Sequence, residues 1–173
     1  MAARCIWLTG LSGAGKSSVA EQLATALAAH GLACCVLDGD ALRRGLNSDL
    51  GFSPADRAQS VRRTAHVARL MVGAGVTAVV ALISPYRADR AAARALFALG
   101  EFIEVFVDTP LAVCEQRDNK GLYAKARRQL ISDMTGIGSD YEAPLQPELR
   151  LACAEQPLHA CARQLADYLG LAR

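Results

Sequence analysis

The sequence predicts an α/β fold in three layers: a central parallel sheet of about five strands with helices on both faces. Three observations predict it. Short, nearly continuous apolar runs recur along the chain, the pattern of strands buried on both faces. Amphipathic stretches of helical period separate them, so each strand joins the next through a helical crossover. The chain has 173 residues, 52% hydrophobic and 21% charged, enough for one domain over 1–173 with a sizeable core.

The elements follow in order. Residues 5–9 read as a buried strand that ends in a glycine-rich turn. A helix over 16–30 follows, with Val19, Leu23, Ala26 and Leu27 on one face. Cys34 to Leu37 is the second strand. Ser53-Pro54-Ala55-Asp56 opens a helix: serine caps, proline sits in the first turn and an acid follows. Val61, Ala65, Ala68 and Met71 share its buried face, and Gly73 or Gly75 ends it. Val76 to Ile83 is the third strand, 88–99 a helix, Phe102 to Val107 the fourth strand and Pro110 to Arg117 a helix. A polar, basic segment runs from Asp118 to Arg128. Residues 148–152 form the last strand and 157–169 the last helix.

Composition excludes some classes. No apolar run reaches the ~20 residues of a membrane span, and the N-terminus has no secretory pattern, so the expected location is the cytoplasm. The net charge of +2 does not argue for a nucleic-acid partner. The six cysteines form no Cys-x-x-Cys pair, and His30, His66 and His159 supply no zinc spacing. They read as reduced packing residues.

One motif names a ligand. Gly10-Leu11-Ser12-Gly13-Ala14-Gly15-Lys16-Ser17 fits G-x-x-x-x-G-K-[ST], between a strand and a helix as a P-loop requires. Its glycines let successive N–H groups turn toward phosphate, and the helix start adds a positive dipole end. Lys16 is expected at the β- and γ-phosphates. The Ser17 hydroxyl is expected on Mg²⁺, and Ser18 closes the nucleotide-binding run. The motif names an ATP-like donor and leaves the acceptor open.

Further groups fall at the carboxyl edge of the sheet, where open parallel sheets bind ligands. Asp38 and Asp40 end the second strand; they suit metal and proton handling, and equally a turn with capping acids. Arg43, Arg44, Arg57, Arg62, Arg63 and Arg69 follow, as anion clamps or as a solvated helix face. Ile83-Ser84-Pro85-Tyr86-Arg87 ends the third strand. Cations cluster around Gly121 between Arg117 and Arg127, which suits a mobile lid, here bounded at about 117–140, or an exposed basic loop.

Taken as an ordered set, several stretches resemble the adenylylsulfate kinase (APS kinase) family of P-loop kinases. They are the P-loop itself, Leu-Asp-Gly-Asp-x-Leu-Arg-x-Gly-Leu-Asn from Leu37, Asp49-Leu50-Gly51-Phe52-Ser53, Ile83 to Arg90, Phe106-Val107-Asp108-Thr109-Pro110, Lys120 to Arg127 and Thr135-Gly136-Ile137. The likeness covers about Cys5 to Pro147. It implies transfer of the ATP γ-phosphoryl group to the 3′-hydroxyl of adenosine 5′-phosphosulfate, with Mg²⁺. Asp38 and Asp40 would handle metal and acceptor hydroxyl, and Arg43 and Arg57 would grip the phosphosulfate. Phe52 would stack on the acceptor adenine, with residue 134 as the other wall beside Thr135 and Gly136. Ile83 and Ser84 would line the acceptor site, and Ser84 matches a serine described in the family as a phosphoenzyme site. Arg117 would lie near the ATP base and Lys125 near the phosphates. The family is typically homodimeric.

Three positions depart from the family pattern. Ser60 stands where asparagine is usual, Met134 where phenylalanine is usual, and Leu151-Ala152-Cys153 replaces Leu-Asp-Thr. The first two fall on the acceptor side, so one alternative is a related enzyme phosphorylating a different nucleotide-linked acceptor. A second is a nucleotide-dependent switch. A GTP-reading switch would carry Asn-Lys-x-Asp, which Asp118-Asn119-Lys120-Gly121 does not supply.

Overall fold

The computed structural model describes residues 2–118 and 120–171; Met1, Asn119 (inside the expected lid), Ala172 and Arg173 lie outside the described residues. Five strands, β1 (Cys5–Thr9), β2 (Cys34–Asp38), β3 (Thr77–Ala81), β4 (Phe102–Asp108) and β5 (Leu149–Ala152), form one sheet in the order β2-β3-β1-β4-β5. Every pairing is parallel. The helices are α1 (Lys16–Ala29), α2 (Gly39–Arg43), α3 (Pro54–Gly73), α4 (Arg87–Arg94), α5 (Leu111–Arg117), α6 (Leu122–Arg127) and α7 (Leu158–Tyr168). No described helix is long and apolar enough to cross a membrane.

The two-residue period of the strands sorts side chains into two cores. Ile6, Leu8, Val79, Val105 and Val107 point to the face covered by α1, α5, α6 and α7. Cys5, Trp7, Ala78, Val80 and Phe102 point to the face covered by α3 and α4. Central β1 is wholly buried, which is why it reads as an unbroken apolar run. The α3 cap forms as expected: the Ser53 hydroxyl accepts from the Asp56 amide at 3.2 Å.

Three elements differ from the sequence reading. The helix expected over 88–99 stops at Arg94. Phe97 turns back onto Phe102, centroids 5.3 Å apart, and the Glu101 carboxylate holds the Ala98 amide at 2.9 Å. The third strand ends at Ala81 rather than Ile83, so that 82–85 peels away toward the cleft described below. The basic segment contains α6, started by the Asp118 carboxylate, which accepts from the amides of Tyr123 at 3.1 Å and Ala124 at 3.0 Å. A similar acid starts α2: Asp38 Oδ1 accepts from the Asp40 amide at 2.9 Å. All six cysteines are free, and Cys5, Cys114, Cys153 and Cys161 are buried.

Candidate active site

A cleft of about 740 Å³ opens over the carboxyl ends of β1, β2 and β3. Its walls come from the segments that leave those strands, at 12–18, 38–44 and 81–85, together with Phe52, Arg57, Ser60, Arg117, Lys120 and Tyr123.

The donor half is built around the turn after β1. Gly10 and Gly15 are there for space. A Cβ on Gly10 would meet the Val107 carbonyl oxygen at 2.6 Å, and one on Gly15 would meet the Leu158 side chain at 2.6 Å. Gly15 also has φ +109°, a conformation that side chains resist. Lys16 is buried, its Nζ donating to the carbonyls of Gly10 at 3.0 Å and Leu11 at 2.7 Å. Burial lowers its pKa to about 8. Beneath the turn, Arg117 donates to the carbonyls of Gly13 (3.2 Å), Ala14 (3.3 Å) and Cys153 (2.8 Å). The Tyr123 hydroxyl donates to the Ser12 carbonyl at 2.8 Å, so α6 is fastened to the loop. Ser18 completes this wall. Tyr123 and Leu158 escaped the sequence reading because each looks like an ordinary apolar helix residue.

Between the halves, the Ser17 hydroxyl donates to Asp38 Oδ2 at 2.6 Å. Two hard oxygen donors thus stand side by side at the helix start. Asp40, on α2, pairs with Lys120. Lys120 also lies near enough to Lys16 to oppose its charge. Sequence reading passed over Lys120 and favoured Lys125; the structure turns Lys125 to solvent, outside the cleft walls. The periodicity of α6 explains this, because Tyr123 and Ala126 take its buried face.

In the acceptor half, Phe52 is 55% exposed and the Arg43 guanidinium lies 4.0 Å from its ring centroid. Arg43 also donates to the Gly51 carbonyl at 3.1 Å. Arg57 is buried and spends two donors on backbone, the Phe52 carbonyl at 3.0 Å and the Asp133 carbonyl at 2.7 Å. Both arginines therefore hold the aromatic loop as well as facing the cleft. Of the other basic residues in this run, Arg44 lines the cleft, whereas Arg63 pairs with Asp49 at 2.6 Å and Arg69 reaches Glu101 at 4.0 Å. Ser60 faces the cleft and is held from behind by Asn47, whose amide donates to its hydroxyl at 2.9 Å.

Ile83 and Ser84 line the same half. Ser84 is buried and has φ +40°, in the left-handed region although it is not glycine. Its hydroxyl accepts from the Trp7 indole at 3.1 Å and faces the Leu82 carbonyl at 3.5 Å. Those partners orient the hydroxyl without removing its proton, so the geometry gives Ser84 a wall-forming role and does not activate it as a nucleophile.

Met134 is a correction. It is 7% exposed, belongs to the core cluster that also holds Cys114, Tyr123 and Ala126, and is not among the residues lining the cleft. A flexible apolar side chain gains more from burial than from a half-exposed stacking position. Thr135 is fully buried, and Gly136 lies against Leu11 and Leu111. Neither lines the cleft.

Comparison with known proteins agrees with this architecture. The family model described as adenylylsulphate kinase matches residues 2–152. An adenylyl-sulfate kinase of Burkholderia ambifaria is 55% identical over 166 residues, covering 96% of this chain and 92% of the relative. One of Lactiplantibacillus plantarum is 54% identical over 164 residues, covering 95% and 79%. Among solved structures, the Mycobacterium tuberculosis APS kinase in complex with AMPPNP and APS superimposes with a TM-score of 0.93 at 49% identity, covering 97% of this chain and 98% of that one. A sheet of this order, a phosphate-binding loop after its central strand and a match over nearly the whole length lead to one conclusion: the chain belongs to the adenylylsulphate kinase family.

Proposed function

We propose that this protein transfers the γ-phosphoryl group of ATP to the 3′-hydroxyl of adenosine 5′-phosphosulfate, giving 3′-phosphoadenosine 5′-phosphosulfate. The observation that carries the reading is that one cleft holds the phosphate-binding loop and, across the Ser17–Asp38 contact, the Asp40, Phe52 and Ser84 surface. In the reaction, the acceptor oxygen bonds to the γ-phosphorus in line with the bond that breaks, and ADP leaves. Asp40 takes the hydroxyl proton. Lys16 and Lys120 meet the charge on the transferring group. Phe52 stacks on the acceptor base, with Arg43 behind it and Arg57 beside it.

The donor set fits Mg²⁺. Ser17 and Asp38 offer two oxygens side by side. That suits an ion held by one or two protein oxygens plus nucleotide phosphates. Held by Ser17 and Asp38, it would neutralise negative charge on the nucleotide phosphates.

The reading extends to one domain with a closing lid at about 117–140, to a homodimer and to the cytoplasm. Within that segment Tyr123 and Met134 are anchored in the core, so closure belongs to the exposed stretch between them, at 127–130. The decisive experiment is a coupled ADP-release assay over a panel of nucleotide-linked acceptors. Strong, saturable stimulation by adenosine 5′-phosphosulfate supports the proposal. A better rate with another member of the panel replaces it, and the single aromatic wall with Ser60 beside it is the observation that favours that second reading.

A further inference from the structure

We propose that Arg90 is the positioning residue of the acceptor half, holding Ser84 and the strip after the lid in one register. The inference rests on the acceptor-side reading above. Arg90 is 2% exposed, and its guanidinium donates to three separate segments. Nε reaches Glu104 Oε1 of β4 at 2.7 Å, Nη1 the Ser84 carbonyl at 2.6 Å and Nη2 the Glu142 carbonyl at 2.7 Å. A planar fork fixes all three directions at once, which a lysine ammonium does not do.

The partners explain the need for such a group. Ser84 is held in a left-handed conformation that its side chain disfavours, and it stays there because both its ends are gripped. Arg90 takes the carbonyl and Trp7 the hydroxyl. The strip at 141–143 is tied to the same loop: the Glu142 amide donates to the Pro85 carbonyl at 2.9 Å, and the Arg87 amide donates to Glu142 Oε2 at 2.7 Å. Thr9 adds a cross-brace, donating to the Ile83 carbonyl at 2.7 Å and meeting the Tyr141 hydroxyl at 3.0 Å. Upstream of that strip, inside the expected lid, the Asp133 carbonyl is taken by Arg57, so two buried arginines hold the return from the lid at separate points.

A buried ion pair is weak as a source of stability. Glu104 interrupts the apolar run 102–107 of β4, and its other oxygen meets Arg94 at 3.2 Å. Its place is explained by orienting Arg90. Arg90 is thereby the one side chain among the described residues that holds the Ser84 carbonyl and the Glu142 carbonyl together, alongside the backbone and Thr9 links between the same two segments.

The test is Arg90→Lys, assayed with ATP and adenosine 5′-phosphosulfate varied in turn, at a temperature where thermal melts show wild type and variant folded. The expected result is a rise of about tenfold in the acceptor KM, with the ATP KM within about twofold of wild type. Backbone amide exchange reads the same anchor without an acceptor: exchange at Glu142 should speed up while the Lys16–Ala20 amides stay unchanged. If Arg90→Lys does not fold, Glu104→Gln keeps the guanidinium but removes the charge that orients it. It should raise the acceptor KM by about threefold, again sparing ATP. Equal shifts in both KM values, or an unchanged acceptor KM with unchanged Glu142 exchange in a folded variant, would overturn the inference. The exchange result stands even if the wild type prefers another acceptor, so failure of the anchor and failure of the proposed substrate are separable.

Discussion

The two halves of the cleft are built differently. The donor half is nearly contiguous: Gly10 to Ser18 supply most of it, and a strand on one side and a helix on the other dictate its shape. The acceptor half is assembled from α2, the Phe52 loop, α3, the turn after β3 and the return from the lid. A contiguous site depends on local backbone geometry, and its faults are local. An assembled site depends on the cross-links between segments, and a fault at a distance is felt inside it.

The largest expected effect lies in the donor half. Lys16→Ala should lower turnover by at least about 10²–10³-fold, because a buried cation that meets transition-state charge is lost. Circular dichroism should show the fold unchanged, and near-normal turnover would remove the motif from the mechanism. Gly15→Ala comes next. Its methyl meets Leu158 and its backbone becomes strained by ~1–3 kcal/mol. ATP affinity should fall in calorimetry, and adding Leu158→Ala should recover only the steric part.

Phe52→Ala sharpens the contrast from the other side. Loss of one stacking face, worth ~1–3 kcal/mol, should raise the acceptor KM and leave the ATP KM unchanged. If both constants move together, the halves are not separable. Met134→Phe is a smaller test of where residue 134 points. In the core a larger ring overpacks, so thermal unfolding should show a loss of ~1–3 kcal/mol with no gain in acceptor affinity. Tighter acceptor binding without loss of stability would place the side chain in the cleft instead.

The smallest effect concerns protons. Lys16 has its pKa lowered from 10.5 to about 8 by burial. Between those values the unfolded chain binds a proton that the folded protein has released, so this group's contribution makes stability rise with pH from about 8 to 10.5. Below about 8 both states hold the proton and its contribution is flat. Nucleotide binding above that point should draw a proton back onto Lys16. Calorimetry in buffers of different ionisation enthalpy should show the uptake near pH 9, and Lys16→Met should abolish it.

The sequence alone determined the parallel sheet, its five strands, the capped start of α3 and the phosphate-binding turn. Each depends on short-range information: unbroken apolar runs, a serine–proline–acid cap and glycines at set spacing. The short helices α2 and α6 were hidden because aspartate caps resemble turn and loop residues until the backbone that follows them is seen. Tertiary structure decided the rest. Lys120 and Lys125 sit five positions apart in one basic run, and only the packing of Tyr123 and Ala126 sends the first toward the cleft and the second to solvent. Met134 and Phe52 are both large and apolar, yet one is buried and the other stands open beside Arg43. Arg90 reads as one more helix cation until Glu104, Ser84 and Glu142 converge on it from three other parts of the chain. A side chain's chemistry is written in its own residue, but its direction and partners come from other segments of the chain, and those meet only when the core closes.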